Sequence, residues 1–169
     1  MRVLLTNARS VVNKLNELNL LVQQHQPHVL FITETWLHSN IPDSLLPLSN
    51  YNVIRKDRLS KGGGVLIAVS RDLQCTHVEC TLEGVIAVDI QLRNSAIRCV
   101  CVYLPQPTLS NYAKACFDEL LRLILGKCFV VAGDFNLPCA DWSRVYFPAL
   151  KGYVELVNLL LEYNQLNNL

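Results

Sequence analysis

Five polar residues follow apolar, strand-like runs in this sequence, and their side-chain types suit the cleavage of a phosphodiester. The runs are RVLLT (2–6), VLFIT (29–33), IRCVCV (97–102) and FVVAG (129–133), and the residues at their exits are Asn7, Glu34, Tyr103, Asp134 and Asn136. If these strand ends share one rim of a layered fold, the polar groups converge in one cleft, where such folds often place their sites.

The five side chains divide into complementary chemical roles. Glu34 and Asn7 are hard oxygen donors suited to Mg²⁺ (or Mn²⁺), which takes one or two carboxylates and keeps waters and substrate phosphate as its other ligands. Asp134 could orient or deprotonate a water, while Asn136 and Tyr103 could hold phosphoryl oxygens. Taken singly, each is more often a turn residue or a rim aromatic, so only the set indicates a site.

The elements that position these residues follow from hydrophobic periodicity. Strand-like runs alternate with two helical patterns, at 11–25 with Ser10 as N-cap and at 109–125 with Gly126 as C-cap. The runs are RVLLT, VLFITE, YNVIR, GVLIAV, GVIAVDIQL, IRCVCVY and CFVVAG, and a third helical pattern covers 153–166. Strands that arrive mostly in succession, with helices early and late, predict an α+β domain of two packed sheets with helices outside.

Composition indicates one folded domain over residues 1–169. The chain is 51% hydrophobic with a net charge of +1, so any attraction to nucleic acid must come from a local basic cluster. The seven Cys lack zinc-ligand spacing, and no secretory leader or roughly 20-residue apolar span is present. These features predict reduced core thiols, an intracellular location and no membrane contact.

A basic segment, RKDRLSKGGGV (55–65), places four cations beside three glycines. They are Arg55, Lys56, Arg58 and Lys61. The segment is not a P-loop, because no Lys-Ser/Thr pair follows at the required spacing. It is interpreted either as a hairpin turn with solvated charges or as a turn that also contacts a phosphate backbone.

Five motifs in order resemble the endonuclease/exonuclease/phosphatase superfamily, whose fold is DNase I-like. They are NARS (7–10), ITETWL (32–37), KGGGV (61–65), VYLP (102–105) and GDFNLP (133–138) followed by Asp141-Trp142. More narrowly, they look like the apurinic-type endonuclease domain that non-LTR (LINE-type) retrotransposons carry ahead of a reverse transcriptase.

The resemblance implies a four-layer α/β sandwich and divalent-metal-dependent cleavage of DNA in the nucleus, where the nick primes reverse transcription. By the same resemblance, Asn7 and Glu34 bind the metal and Tyr103 contacts the phosphate. Asp134 and Asn136 then serve the attacking water and the phosphate. Arg9 stands where relatives often have an acidic or amide residue, and its charge suits a phosphate contact better than a metal.

One departure from the family pattern concerns a histidine. Relatives carry a late Ser-Asp-His signature, but this sequence has no Asp-His dipeptide, and its four His lie elsewhere, at 25, 28, 38 and 77. We therefore expect a C-terminally incomplete domain without its last strands, poorly soluble and at best weakly active. The alternatives are a related RNase or phosphatase of the same superfamily, and a non-catalytic remnant that scaffolds or binds nucleic acid.

Overall fold

A computed structural model describes residues 1–58, 62–105 and 110–136 of the chain. Eight strands and two α-helices form in this part of the chain, with short 3-10 turns at Val12–Lys14 and Asp43–Leu45. The strands are β1 (Val3–Asn7), β2 (Val29–Thr33), β3 (Tyr51–Lys56), β4 (Val65–Ser70), β5 (Cys75–Val78), β6 (Val85–Gln91), β7 (Ala96–Tyr103) and β8 (Phe129–Asp134), and the helices are α1 (Leu15–His25) and α2 (Ser110–Ile124).

The strands form two four-stranded mixed sheets. One has the order β1-β2-β4-β3 and the other β5-β6-β7-β8. Among these eight described strands, β1/β2 and β7/β8 pair in parallel and the remaining neighbours are antiparallel. The predicted pair of packed sheets is thereby confirmed, and β5, which contains His77, forms the outer strand of the second sheet.

Successive strand residues alternate between the space that separates the two sheets and the outer face that a helix covers, which gives the layer order helix, sheet, sheet, helix. In β2, Phe31 packs between the sheets with Ile67 and Ile86, whereas Leu30 faces outward into a cluster with Leu18 of α1. On the other sheet, outward-facing residues of β6 and β7 bury the apolar side of α2, including Phe117. This inward-outward alternation is what a strand covered on both faces requires.

Four of the six cysteines in this part of the chain are buried, as predicted for core thiols, whereas Cys75 is half-buried and Cys128 is exposed. Cys80, Cys99, Cys101 and Cys116 are buried. Burial raises the pKa of Cys99 to about 12 and that of Cys116 to about 11. These thiols are therefore protonated and unreactive at neutral pH.

The predicted start of the first helix is wrong. Ser10 does not cap it, because α1 begins at Leu15 after the 3-10 turn, and Ser10 itself has φ +85°. The backbone N–H groups of Ser10 and Val11 instead donate to the carbonyl oxygens of Glu34 and Thr35, at 3.0 Å each. Pairing with the segment after β2 thus displaces the helix start by several residues.

The end of the second helix agrees with the prediction, since Gly126 follows α2 with φ +67°. Neither described helix is long and apolar enough to cross a membrane. The helix predicted at 153–166, Lys61 and the Asp141-Trp142 motif lie outside the described residues. The 1–169 domain boundary stays a prediction.

Candidate functional site

The two parallel strand pairs bring the polar exits together. In the first sheet Asn7 pairs with Thr33, so Glu34 follows directly beside it. In the second sheet Tyr103 pairs with Asp134. Because parallel strands carry their carboxyl ends to the same edge, each sheet contributes two of the predicted residues to one rim.

A single amide joins the rims of the two sheets. Asn7 Nδ2 donates to Asp134 Oδ2 at 2.9 Å and to Glu34 Oε1 at 3.3 Å. The bond to Asp134 spans 127 residues of sequence and crosses between the sheets. Asn7, Glu34 and Asp134 are therefore assembled as one cluster, as the sequence predicted.

Tyr103 completes the cluster from the end of β7. Its pKa is raised, chiefly by burial, then by the charge of Glu34 and a side-chain hydrogen bond to it, and further by the charge of Asp134. Arg58 acts in the opposite direction on the same hydroxyl. The phenol is therefore a neutral donor that lies against the carboxylates.

Asn136 is a turn residue that holds Asp134. Its backbone N–H donates to Asp134 Oδ1 at 3.1 Å, and its Nδ2 donates to the Leu104 carbonyl at 2.6 Å. Asn136 also adopts φ +47°, a left-handed conformation that Asn tolerates better than most residues. Its side-chain nitrogen is thus directed to the backbone, and the phosphate contact predicted for Asn136 stays a prediction.

The backbone around Glu34 is strained and closely held. Glu34 has φ +51° and Trp36 has φ +53°, conformations that cost on the order of 1–3 kcal/mol each. The Thr35 and Trp36 N–H groups donate to the carbonyls of Gly64 and Gly63, at 3.3 and 2.9 Å. Sequence reasoning missed this supporting role of the glycine run, although three successive glycines are a signal that a segment approaches closely.

The donor set fits a hard divalent cation. Two carboxylates share one neutral amide donor, and within the described residues neither Glu34 nor Asp134 forms an ion pair with Lys, Arg or His. A cation would offset their mutual repulsion, and Mg²⁺ is commonly held by this number of carboxylates. No group of three or more His, Cys, Asp or Glu that could hold a metal occurs in the described ranges, so waters and substrate oxygens would complete the shell.

Two of the predicted nucleic-acid contacts make internal hydrogen bonds instead. Arg55 Nη2 donates to the Ile41 carbonyl at 2.7 Å, and its guanidinium also pairs with Asp43 and Asp57. Lys56 Nζ donates to the carbonyls of Cys80 and Leu82, at 2.7 and 2.8 Å. The DNA contacts predicted for Arg55 and Lys56 stay predictions, and these bonds argue against them.

The remaining basic candidates are placed differently. Arg9, two residues after Asn7, is exposed with φ +44°, and Arg58 lies half-buried near Tyr103. Lys61 falls outside the described part. None of the four His contacts the cluster through a hydrogen bond in the described residues; His28, for example, accepts the Arg2 N–H at 2.9 Å.

A family model described as the endonuclease/exonuclease/phosphatase family matches residues 3–155. The chain is 24% identical over 139 residues to the RNA-directed DNA polymerase from mobile element jockey of Drosophila funebris. That alignment covers 80% of this chain but 15% of the polymerase.

Three solved structures share the fold. An AP endonuclease from Archaeoglobus fulgidus gives a TM-score of 0.68 at 17% identity, covering 96% of this chain and 70% of that one. The endonuclease domain of TRAS1, a telomere-specific non-LTR retrotransposon, gives 0.63 at 18%, covering 79% and 59%. The 3′ phosphatase NExo from Neisseria, bound to product DNA hairpin, gives 0.61 at 21%, covering 83% and 60%. The two mixed sheets with their helices are thus a DNase I-like fold.

Proposed function

We propose, from the premise that this chain belongs to the endonuclease/exonuclease/phosphatase family, that it is a divalent-metal-dependent phosphodiesterase acting on DNA. The observation that carries the proposal is the Asn7 amide, which bonds both Glu34 and Asp134 and so links the ends of two sheets. Two carboxylates held close together repel each other, and a bound cation offsets that repulsion, as it does in metal sites.

The cluster supports a division of labour. Glu34 and Asn7 would hold the metal, Mg²⁺ or Mn²⁺, which when bound stabilises negative charge on a phosphoryl oxygen. Asp134, fixed by the Asn136 N–H, would orient or deprotonate the attacking water. Tyr103, as a neutral donor, would hydrogen-bond a phosphoryl oxygen, and Asn136 would hold another.

A retroelement endonuclease is the most specific form of the proposal. It rests on the likeness to the jockey polymerase and to the TRAS1 endonuclease domain, together with the NARS, ETWL and GDFNLP motifs. The nick would expose a 3′ hydroxyl for a reverse transcriptase partner, in the nucleus. Arg9, Arg58 and Lys61 are the proposed contacts to the DNA backbone.

The positions of the histidines favour a second candidate function. No His forms a hydrogen bond with the candidate cluster in the described residues, so no imidazole is assigned to the scissile phosphate. We therefore expect slow cleavage, and a non-catalytic nucleic-acid-binding scaffold is the alternative. Within the enzyme class, an RNase or phosphatase activity on the same metal site is the rival.

Nicking of supercoiled plasmid separates these functions. Wild-type protein should convert plasmid to the open-circular form slowly with Mg²⁺ or Mn²⁺ and not with EDTA. Glu34→Gln should reduce the rate by at least about a hundredfold, because the metal's charge stabilisation is worth several kcal/mol. Asp118→Asn, which alters an exposed ion pair on α2, is the matched control and should cleave normally.

Other outcomes assign the alternatives. Nicking that survives EDTA or Glu34→Gln would refute the metal mechanism. DNA binding without any nicking would support the scaffold, and cleavage of RNA or of a phosphomonoester in place of plasmid would support the rival enzyme.

A further inference from the structure

A cavity of about 220 Å³ adjoins the candidate site and shares Tyr103 with it. Its lining includes Arg58 from the segment after β3, Glu83 and Gly84 before β6, and Tyr112 from α2. The cavity is smaller than the roughly 300–1,000 Å³ of pockets that enclose whole drug-sized ligands, so its size suits one nucleobase or one sugar.

Arg58 supplies an uncommitted cation to this cavity. Unlike Arg55, it forms neither an ion pair nor a hydrogen bond with any residue that the structure describes. Its side chain packs where glycine leaves space, since a Cβ at Gly63 would lie 2.8 Å from Arg58 Cδ and 3.3 Å from Nη1. A guanidinium seated in this way can bind a phosphate without first breaking a hydrogen bond or ion pair to the residues that the structure describes.

The walls of the cavity are aromatic and fixed. The Tyr112 hydroxyl accepts the Gly84 N–H at 3.1 Å, and burial raises the Tyr112 pKa to about 12. Gly84 also accepts the Tyr103 N–H at 2.8 Å, and a Cβ at Gly84 would lie 2.3 Å from the Tyr103 carbonyl oxygen. The Tyr112 hydroxyl and the Tyr103 backbone are thus both held at Gly84, and the two tyrosine rings that line the cavity suit a planar ligand.

Glu83 adds a hydrogen-bond acceptor to this cavity. Its carboxylate is exposed and forms no ion pair within the described residues, and an ionised carboxylate accepts hydrogen bonds without donating any. Cytosine and adenine present an exocyclic amino donor to such a group, whereas thymine offers only its N3–H, flanked by two carbonyl oxygens that repel a carboxylate.

We propose that this cavity binds one unstacked, amino-bearing nucleobase next to the scissile phosphate, with Glu83 accepting from its amino group and Arg58 contacting the phosphate of the same nucleotide. The inference rests on the proposed function, because it takes DNA as the substrate. It adds a base preference, set by Glu83, at a position beside the metal cluster.

Binding of short single strands tests the cavity without requiring cleavage. Fluorescence anisotropy with labelled oligo-dC, oligo-dA and oligo-dT in EDTA should show dC and dA bound about three- to tenfold more tightly than dT, the range of one net hydrogen bond. Glu83→Gln should remove this preference. Glu79→Gln, the same change at an exposed residue that does not line the cavity, should keep it.

Arg58→Gln provides a second, separable readout. It should weaken binding of all three oligomers alike and lower the slope of log affinity against log salt by about one, as expected for one lost phosphate contact. Three outcomes would overturn the proposed base-binding role of the cavity. They are an equal affinity of the wild type for dT, a base preference that survives Glu83→Gln, and no binding of any oligomer. Metal-dependent plasmid nicking by the wild type, lost in Glu34→Gln, would then show that the proposed function stands without the base-binding cavity.

Discussion

Gly64→Ala probes the backbone that holds Glu34. Gly64 has φ +86°, and an added Cβ would lie 2.5 Å from Oγ1 of the buried Thr35 and 3.6 Å from the Lys56 carbonyl oxygen. Gly64 is also the acceptor for the Thr35 N–H, one residue after Glu34. The substitution therefore combines backbone strain with a steric collision at the base of the candidate site.

The two contributions can be separated with Gly126→Ala. Gly126 has φ +67° but nothing within 4 Å of its added Cβ, so this control carries only the left-handed cost of about 1–2 kcal/mol. Gly64→Ala adds the cost of overpacking, about 1–3 kcal/mol, for a total of about 2–5 kcal/mol. The difference between the two variants isolates the contact with Thr35.

Urea denaturation followed by circular dichroism measures both variants, and a double-mutant cycle identifies the contact. Thr35→Ala removes Oγ1, so it should recover about 1–3 kcal/mol in the Gly64→Ala background and none in the Gly126→Ala background. Equal destabilisation by the two glycine substitutions, or no recovery with Thr35→Ala, would refute the reasoning.

Two further predictions concern an ion pair and a pair of hydrogen bonds that lie away from the cluster. The Arg122 guanidinium lowers the pKa of Glu119 from 4.5 to about 2, so Glu119 should contribute up to about 3 kcal/mol above pH 4.5, lost as the pH falls towards 2. Glu119→Gln should flatten that part of the pH profile of urea stability, and an unchanged profile would contradict the assignment. Lys56→Met should cost about 2–4 kcal/mol, because two carbonyls lose a charged donor. It should also leave the salt dependence of DNA binding unchanged, whereas a slope lowered by about one would restore the predicted phosphate contact.

The placement of the cluster was largely predictable because it depends on strand ends. Apolar runs fix where β1, β2, β7 and β8 stop, and parallel pairing carries their exits to a common rim. The hydrogen bond from Asn7 to Asp134 was harder to predict, since the two residues lie in different sheets and 127 positions apart. Only the packing of one sheet on the other determines that contact.

Other features depend on tertiary contacts that override local preference. Ser10 has the chemistry of an N-cap, yet its N–H pairs with Glu34 and the helix starts later. Lys56 occupies a basic segment that suggests solvent exposure, yet its ammonium is drawn to two carbonyls of the loop before β6. Hydrophobic periodicity cannot predict the hydrogen bonds of Ser10 or of Lys56, because each partner comes from a distant segment.

Manganese binding tests the central claim most directly, because it reports the metal site whatever the cleavage rate. Titration with Mn²⁺, following the electron paramagnetic resonance signal of the free ion, should reveal a site in the wild type and in the Asp118→Asn control. Glu34→Gln should weaken that site by at least about tenfold. Equal affinity and stoichiometry in the wild type and Glu34→Gln, or no binding in the wild type, would contradict the assignment of Asn7, Glu34 and Asp134 as a metal-dependent phosphodiesterase site.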